Sequence, residues 1–391
     1  MTAAIFAARN GKKVVLIEKN NKLGRKIAAS GNGKCNLTNA DLSTACYHHA
    51  YESDMEKLLE QYNTEIVLGY MKSLGIVCKE KKGYYYPMSE QAAVVVQMLQ
   101  AELEHLRVEV VLEERFCDAT KEKNNWIVFT DKSTYRGRRL ILSCGGMAAP
   151  KLGAEGTGYA FLKKQGHTIR ANAPALVQLT AKERYIKKIS GVRTEAKICL
   201  KAGKQSYFEE GEIIFTDTGI SGIPVFQLSR YVTEAVRAGE CVELSVNVIP
   251  SCDTEQLIED VLSMARYNPK LPLEYLFRGF CNHKLVYALL VENGYDPEAF
   301  CGRINESSIV KLIHLFRAIT FRITGTNGFE QAQVTRGGVP LDEICMDTME
   351  SRRVSELYVT GELLDVDGIC GGYNLHFAWT SGMIAGTAQN E

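Results

Sequence analysis

The sequence predicts an α/β protein of Rossmann-like, nucleotide-binding character, and three observations carry that reading. A short Ala- and Ile-rich helix at the start is followed by a glycine and an apolar strand that ends on an acid. The middle of the chain changes texture, first to short strands with turns and then to helices, with no glycine-rich nucleotide fingerprint. The end returns to strands and closes on a glycine pair leading into a helix.

Residues 2–10, TAAIFAARN, are helix formers with Ala and Ile on one face, and Gly11 stops them. Lys12 and Lys13 lead into VVLIEK, an apolar run of strand length ending on Glu18 and Lys19. This pattern is the second half of a β-α-β unit, in which an acid at the end of the second strand accepts hydrogen bonds from a ribose. The plainer reading of Glu18 is a charge closing a strand. The strand and G-x-G-x-x-G that open such a unit, exposing backbone N–H groups to a pyrophosphate, do not precede this helix. A parallel sheet without its first strand leaves two neighbours unpaired, so the sequence is expected to begin downstream of that strand.

LGRKIAASGNGKCNLTNA, residues 23–40, packs no core and builds no regular element. Arg25 and Lys26 precede a bare run of Ser30, Gly31, Asn32, Gly33, Lys34, Cys35 and Asn36. Residues 52–75 then read as one helix, and YYYP at 84–87 as a strand. Ser89 and Glu90 are placed to open a helix over 90–105. Three strand-like segments follow at 108–120, 126–131 and 133–146, the last running through Cys144 to Gly145–Gly146, where a chain leaving a sheet can pass beside a ligand. Thr157 is placed to cap a helix ending near Gly166. The stretch before it has no G-K-[ST] signature and reads as a simple turn.

The predicted domain limits are 1–171 and 326–391 for the nucleotide-binding part, 172–250 for a small β segment, and 251–325 for a helical one. In the last part LYVTGE reads as a buried strand with Gly361–Glu362 at its carboxyl end, and Gly371 and Gly372 precede a helix starting near Tyr373. Such a helix end offers free N–H groups and partial positive charge. It suits a phosphate or the electron-rich edge of a reduced flavin ring; an ordinary β-α turn is the alternative.

Composition narrows the function classes. Net charge is +0, which gives bulk electrostatic nucleic-acid binding little support. No apolar run reaches membrane-spanning length and no secretory signal is visible. The 12 cysteines form no C-x-x-C pair and no cluster with zinc spacing, which points to free thiols in a reducing cytoplasm and to no metal. Oligomeric state is not legible.

EKNNKLGRKIAASGNGKCNLTN together with GELLDVDGICGGYNLHFAWTSGMIAG closely resembles the BaiN-like family of NAD(P)/FAD-dependent oxidoreductases. IIFTDTGISGIPVFQLS and TGTNGFEQAQVTRGGVPLDE extend the resemblance over nearly the whole chain, the absent first glycine loop being the departure. The resemblance implies a Rossmann-like FAD-binding domain built from both chain ends, with β-barrel-like and helical domains inserted. It implies that residues 24–39 run along FAD, with Arg25 and Lys26 near the phosphates and Ser30 to Asn36 near the ribityl chain and ring. Glu18 would hold the adenosine ribose and the backbone of Phe116 would meet the adenine. Gly145–Gly146 and Gly361–Glu362 would line the cofactor, and Gly371, Gly372, Tyr373, Asn374 and Leu375 would close on the flavin.

One characterised activity in that family is reduction of carbon–carbon double bonds conjugated to a ketone in 3-oxo bile-acid intermediates. The implied reaction passes a hydride from NAD(P)H through flavin N5 to a small hydrophobic substrate and needs a proton donor at the α carbon. Tyr86, Tyr373 and His376 are the candidates, although the family more often carries an amide at the last. Cys35 and Cys144 have no neighbouring partner cysteine for a flavin–disulfide relay. Apolar residues of the helical segment are expected to contribute to a cap over the flavin. The alternative is a flavoprotein with a structural, sensing or macromolecule-directed role.

Overall fold

Helix Thr2–Arg9 ends at Gly11, whose φ of 72° is open to a residue without Cβ. It packs along the last helix, Tyr373–Thr387, as closely as two backbones allow. A Cβ added at Gly386 would stand 2.5 Å from the Ala3 carbonyl oxygen. The two chain ends are thereby joined in one unit, Met1–Pro174 with Ala332 onward, while Ala175–Gln331 form a second. This computed structural model describes residues 1–388; 389–391, the tail of the expected 326–391 segment, lie outside the described residues.

In the first unit, strand Val15–Ile17 pairs in parallel with Glu109–Val111, and Leu140–Leu142 pairs in parallel with Leu357–Val359. These are separate sheets among the described residues. Phe116–Glu122, Asn125–Thr130 and Thr134–Gly137 form an antiparallel meander. Thr38–Asn39, Tyr84–Pro87 and Cys78–Lys81 form a second antiparallel sheet, with Tyr84–Pro87 in the centre.

Three local expectations are corrected. Residues 52–75 make two helices, Glu52–Gln61 and Thr64–Ser73, because Asn63 starts a new one by accepting the Ile66 N–H at 3.2 Å. The helix expected from residue 90 begins at Ala92, and neither Ser89 nor Glu90 caps it. The helix Thr157–Lys164 is entered through Gly156 at φ 71°, with no side-chain cap from Thr157.

In the second unit six strands close a barrel. Its last strand, Ile319–Thr326, follows the helices Thr254–Tyr267, Leu273–Arg278, His283–Glu292 and Glu306–Arg317 in sequence. The segments expected at 172–250 and 251–325 therefore share one unit and one continuous apolar core. IPVFQLSR, read with the strand-like texture, is instead the start of helix Ile223–Arg237. Pro224 fits a first helical turn, and Val225, Leu228, Val232 and Ala235 bury one stripe.

Candidate active site

Residues 23–40, expected to pack no core and build no regular element, instead bury Leu23, Cys35 and Leu37 in one core cluster and form the short helix Arg25–Ala28 and the strand Thr38–Asn39. Gly24 turns at φ 70° into the short helix Arg25–Ala28. Gly31, Asn32, Gly33 and Cys35 then take φ values of 55°, 53°, 82° and 59°. Left-handed backbone costs most residues with a Cβ roughly 1–2 kcal/mol, Asn being tolerated there, so Cys35 is held against its preference. Gly31, Asn32, Gly33 and Lys34 are exposed, while the Ser30 hydroxyl is tied back to the Ile27 carbonyl at 2.6 Å. Cys35 turns the other way, into the core, and burial pushes its thiol up to about 11. Its side chain is a packing group and not part of the open face expected for it.

The N-terminus of the last helix lies against this loop. Gly371 and Gly372 have φ values of 139° and 95°. A Cβ at Gly372 would stand 2.8 Å from the Asn36 Oδ1 and 3.0 Å from the Thr38 carbonyl oxygen. Two segments more than three hundred residues apart in the chain are thus pressed backbone to side chain. The Asn36 Oδ1 is buried and has no hydrogen-bond partner among the described residues. Such an acceptor costs free energy unless a further group donates to it. Asn374 is tied to Gly368: its amide accepts from the Gly368 N–H and donates to the Gly368 carbonyl, both at 2.8 Å. Leu375 is half-buried against the core.

Two of the three expected proton donors belong to the interior. His376 is fully buried. Its Nε2 lies 2.8 Å from the Tyr62 carbonyl, which can only accept, so Nδ1, 2.8 Å from the Thr38 Oγ1, accepts from that hydroxyl. Burial lowers its pKa to about 4 and leaves a neutral ring with both nitrogens used. The Tyr373 ring packs edge-on to Tyr47 at 5.7 Å between centroids, and burial raises its pKa well above the ordinary value. Neither is placed to hand a proton to a substrate.

The charged residues form ties of their own. Glu18 Oε1 accepts from both the backbone and side-chain nitrogens of Asn20 at 2.8 Å, and the Asn20 Oδ1 accepts from Arg25 at 2.8 Å. Lys19 and Arg115 share Glu155, at 2.7 and 2.8 Å. Lys26 reaches the Glu362 Oε2 at 2.5 Å, and the other oxygen of Glu362 accepts from the Thr335 N–H at 2.7 Å. The Thr335 hydroxyl accepts in turn from the N–H groups of Met147 and Ala148, at 2.7 and 2.9 Å.

A Cβ at Gly146 would stand 2.4 Å from that hydroxyl, so only glycine fits there. Gly145 and Gly361 take φ values of 73° and 62° at the ends of the paired strands. The Cys144 thiol, pushed up by burial, faces Gly158. Phe116 stacks edge-on to Phe161 at 5.3 Å. Asn20 and Thr335 organise these groups and were not singled out from the sequence. Glu90 was, but as a helix opener.

Tyr86 is the expected donor that remains accessible. It is partly exposed, stands across from Gly31, and lines an open pocket of about 150 Å³ with Lys34, Lys81, Lys82, Tyr84 and Glu90. Glu90 holds Lys34 and Lys79 at 2.8 Å each, and those hydrogen bonds lower its carboxyl to about 2.

Comparison with known proteins identifies the family. The family model described as the HI0933-like protein Rossmann domain matches residues 1–388. The chain belongs to the HI0933-like family. This HI0933-like chain is 37% identical over 394 residues, covering 100% of it and 96% of the relative, to a protein of Clostridium scindens named 3-dehydro-bile acid delta(4,6)-reductase. It is 30% identical, over 96% of the chain and 92% of the relative, to a ribosomal RNA dihydrouridine synthase of Haemophilus influenzae. A 3-ketosteroid delta1-dehydrogenase from Sterolibacterium denitrificans shares its fold, with a TM-score of 0.51, 12% identity, and coverage of 98% and 96% of the two chains.

Proposed function

We propose that this protein is an FAD-dependent reductase that uses NAD(P)H to saturate a carbon–carbon double bond conjugated to a carbonyl, with a 3-oxo bile-acid or steroid-like molecule as substrate. The observation that carries the proposal is the contact of Asn36 with Gly372, which brings the left-handed loop and the glycine-led helix together around a buried, unpaired acceptor. A flat ring carrying N–H groups would satisfy that acceptor, and backbone stripped of side chains lets such a ring approach closely. When bound there, FAD would supply hydride-transfer chemistry.

The residues of the chain do the rest. The Lys26–Glu362–Thr335 chain of contacts fixes the loop to the strand ends that would flank the cofactor. The exposed run Gly31–Lys34 offers backbone along one wall. Tyr86, partly exposed at the pocket, would deliver the α-carbon proton, and burial raises the pKa of its hydroxyl.

Two named relatives support the reaction class. Dihydrouridine is uridine with its C5–C6 double bond saturated, and that bond is conjugated to a carbonyl, so both relatives' names describe the same bond chemistry. They divide on the substrate. Whole-chain identity of 37% against 30% favours the steroid-like one. The test is reduction of the purified protein by NAD(P)H without oxygen, followed by a 3-oxo-4-ene steroid or a uridine-containing ribosomal RNA fragment. Rapid reoxidation with saturation of the steroid supports the proposal. Reoxidation only by the RNA, with dihydrouridine formed, replaces the substrate. Inertness to both refutes the reductase reading.

A further inference from the structure

Beside Tyr86, the hairpin Cys78–Lys81/Tyr84–Pro87 carries lysines that the reductase reading does not use. Its register pairs Lys79 with Tyr86 and Lys81 with Tyr84. Side chains alternate across a strand, so these four share one face. Glu90 neutralises Lys79 together with Lys34 on the neighbouring loop. Lys81 and Lys82 are exposed and make no ion pair among the described residues. Glu80, the acid between Lys79 and Lys81, accepts from the Gly83 N–H and alternates to the other face of the strand.

The backbone at the turn adds an independent observation. Lys82 and Gly83 have φ values of 55° and 85°, the two left-handed positions of a tight hairpin turn. Asn or Gly fits the first of these, and a lysine is strained there. Lysine on an edge strand discourages unwanted pairing. That accounts for a cation on Cys78–Lys81 but not for one at the strained turn position. Glu90, which anchors the other two lysines, is itself left-handed at φ 50°.

We propose that Lys81 and Lys82 form an oxyanion-binding subsite for a small-molecule ligand, holding a carboxylate or phosphate at the far end of a substrate whose reacting end meets Tyr86. This rests on the reductase reading for the position of the reacting end only. Tyr84 and Tyr86 are two strand residues, roughly 7 Å, apart, and an extended lysine reaches further. The pocket thus has an aromatic floor with a neutral hydroxyl at one end and two unneutralised ammonium groups at the other. An elongated acid, apolar along its body and anionic at its tip, fits that distribution.

The test is calorimetric titration of the flavin-loaded protein and of a Lys81→Gln/Lys82→Asn variant. The probes are a 3-oxo-4-ene steroid acid, its methyl ester and adenosine 2′,5′-bisphosphate. The variant is expected to bind the acid about tenfold or more weakly, to bind the ester unchanged, and to melt no lower than the parent, because Asn relieves the turn. A loss confined to the bisphosphate supports the site and assigns its anion to a nucleotide phosphate. Equal affinity of parent and variant for both anions overturns the proposal. So does a parent that binds neither anion but binds a uridine oligonucleotide through the same lysines. Anion binding that is lost in the variant, in a protein that reduces neither acid nor ester, keeps the subsite and sinks the reductase reading.

Discussion

Lys26 and Glu362, 336 positions apart, meet at 2.5 Å and tie the glycine-rich loop to the end of a buried strand. The two partners do not contribute equally. Lys26 is 37% exposed, so water screens its share of the pair. Glu362 also receives the N–H of buried Thr335.

Replacing each partner separates these roles. Lys26→Met is expected to cost at most about 1 kcal/mol of unfolding free energy. Glu362→Ala is expected to cost roughly 1–3 kcal/mol, because it leaves the Thr335 N–H without its acceptor. Urea denaturation of both variants checks the order, and equal losses would show that the Thr335 contact contributes nothing.

Gly372→Ala is expected to disrupt the site more than an average surface change. The new methyl would lie 2.8 Å from the Asn36 Oδ1, at a backbone φ of 95°. Strain and crowding together predict destabilisation of about 1–3 kcal/mol and a lower flavin content in the purified protein. Flavin absorbance per mole of protein measures the second effect; an unchanged ratio would place the cofactor elsewhere.

His376 predicts an acid-sensitive fold. Its folded pKa, lowered to about 4 by burial, lies below the ordinary 6.5. The unfolded chain therefore takes up the proton first as pH falls. The contribution of His376 to stability is complete above about pH 6.5 and is lost on descent to about pH 4, up to roughly 3 kcal/mol. His376→Gln keeps an acceptor and a donor and should flatten that limb of the urea midpoint against pH, with turnover retained. A collapse of turnover at constant stability would return His376 to the reaction.

Tyr86→Phe tests the proton donor. Loss of a positioned acid is expected to lower kcat by about 10² or more, while the rate of flavin reduction by NAD(P)H stays unchanged. Stopped-flow measurement of the two half-reactions distinguishes them, and an unaltered oxidative half-reaction would assign the proton to another group.

Local chemistry made much of the architecture legible. The helix at Thr2–Arg9, the strand ending before Glu18 and the glycine-led final helix follow from periodicity and turn residues that act over a few positions, whereas the single strands expected at 108–120 and 133–146 each split between the meander and a parallel sheet. The glycines at 31, 33, 371 and 372 were readable as a bare surface because they lack side chains wherever the chain goes. Helix Ile223–Arg237 was less legible, since short apolar runs fit strand and helix alike until the barrel supplies a surface for the stripe to cover.

The sequence by itself determined the class of fold, the family, and the two segments that build the candidate site. Only tertiary structure decided what each polar group does there. Whether His376 donates a proton or fills the core depends on Thr38 and Tyr62 meeting its two nitrogens. Whether Cys35 faces a ligand or the interior depends on the core cluster it joins with Leu23 and Leu37. Backbone preferences are encoded locally, but a side chain's protonation and partners are set by burial and by groups that arrive from hundreds of residues away.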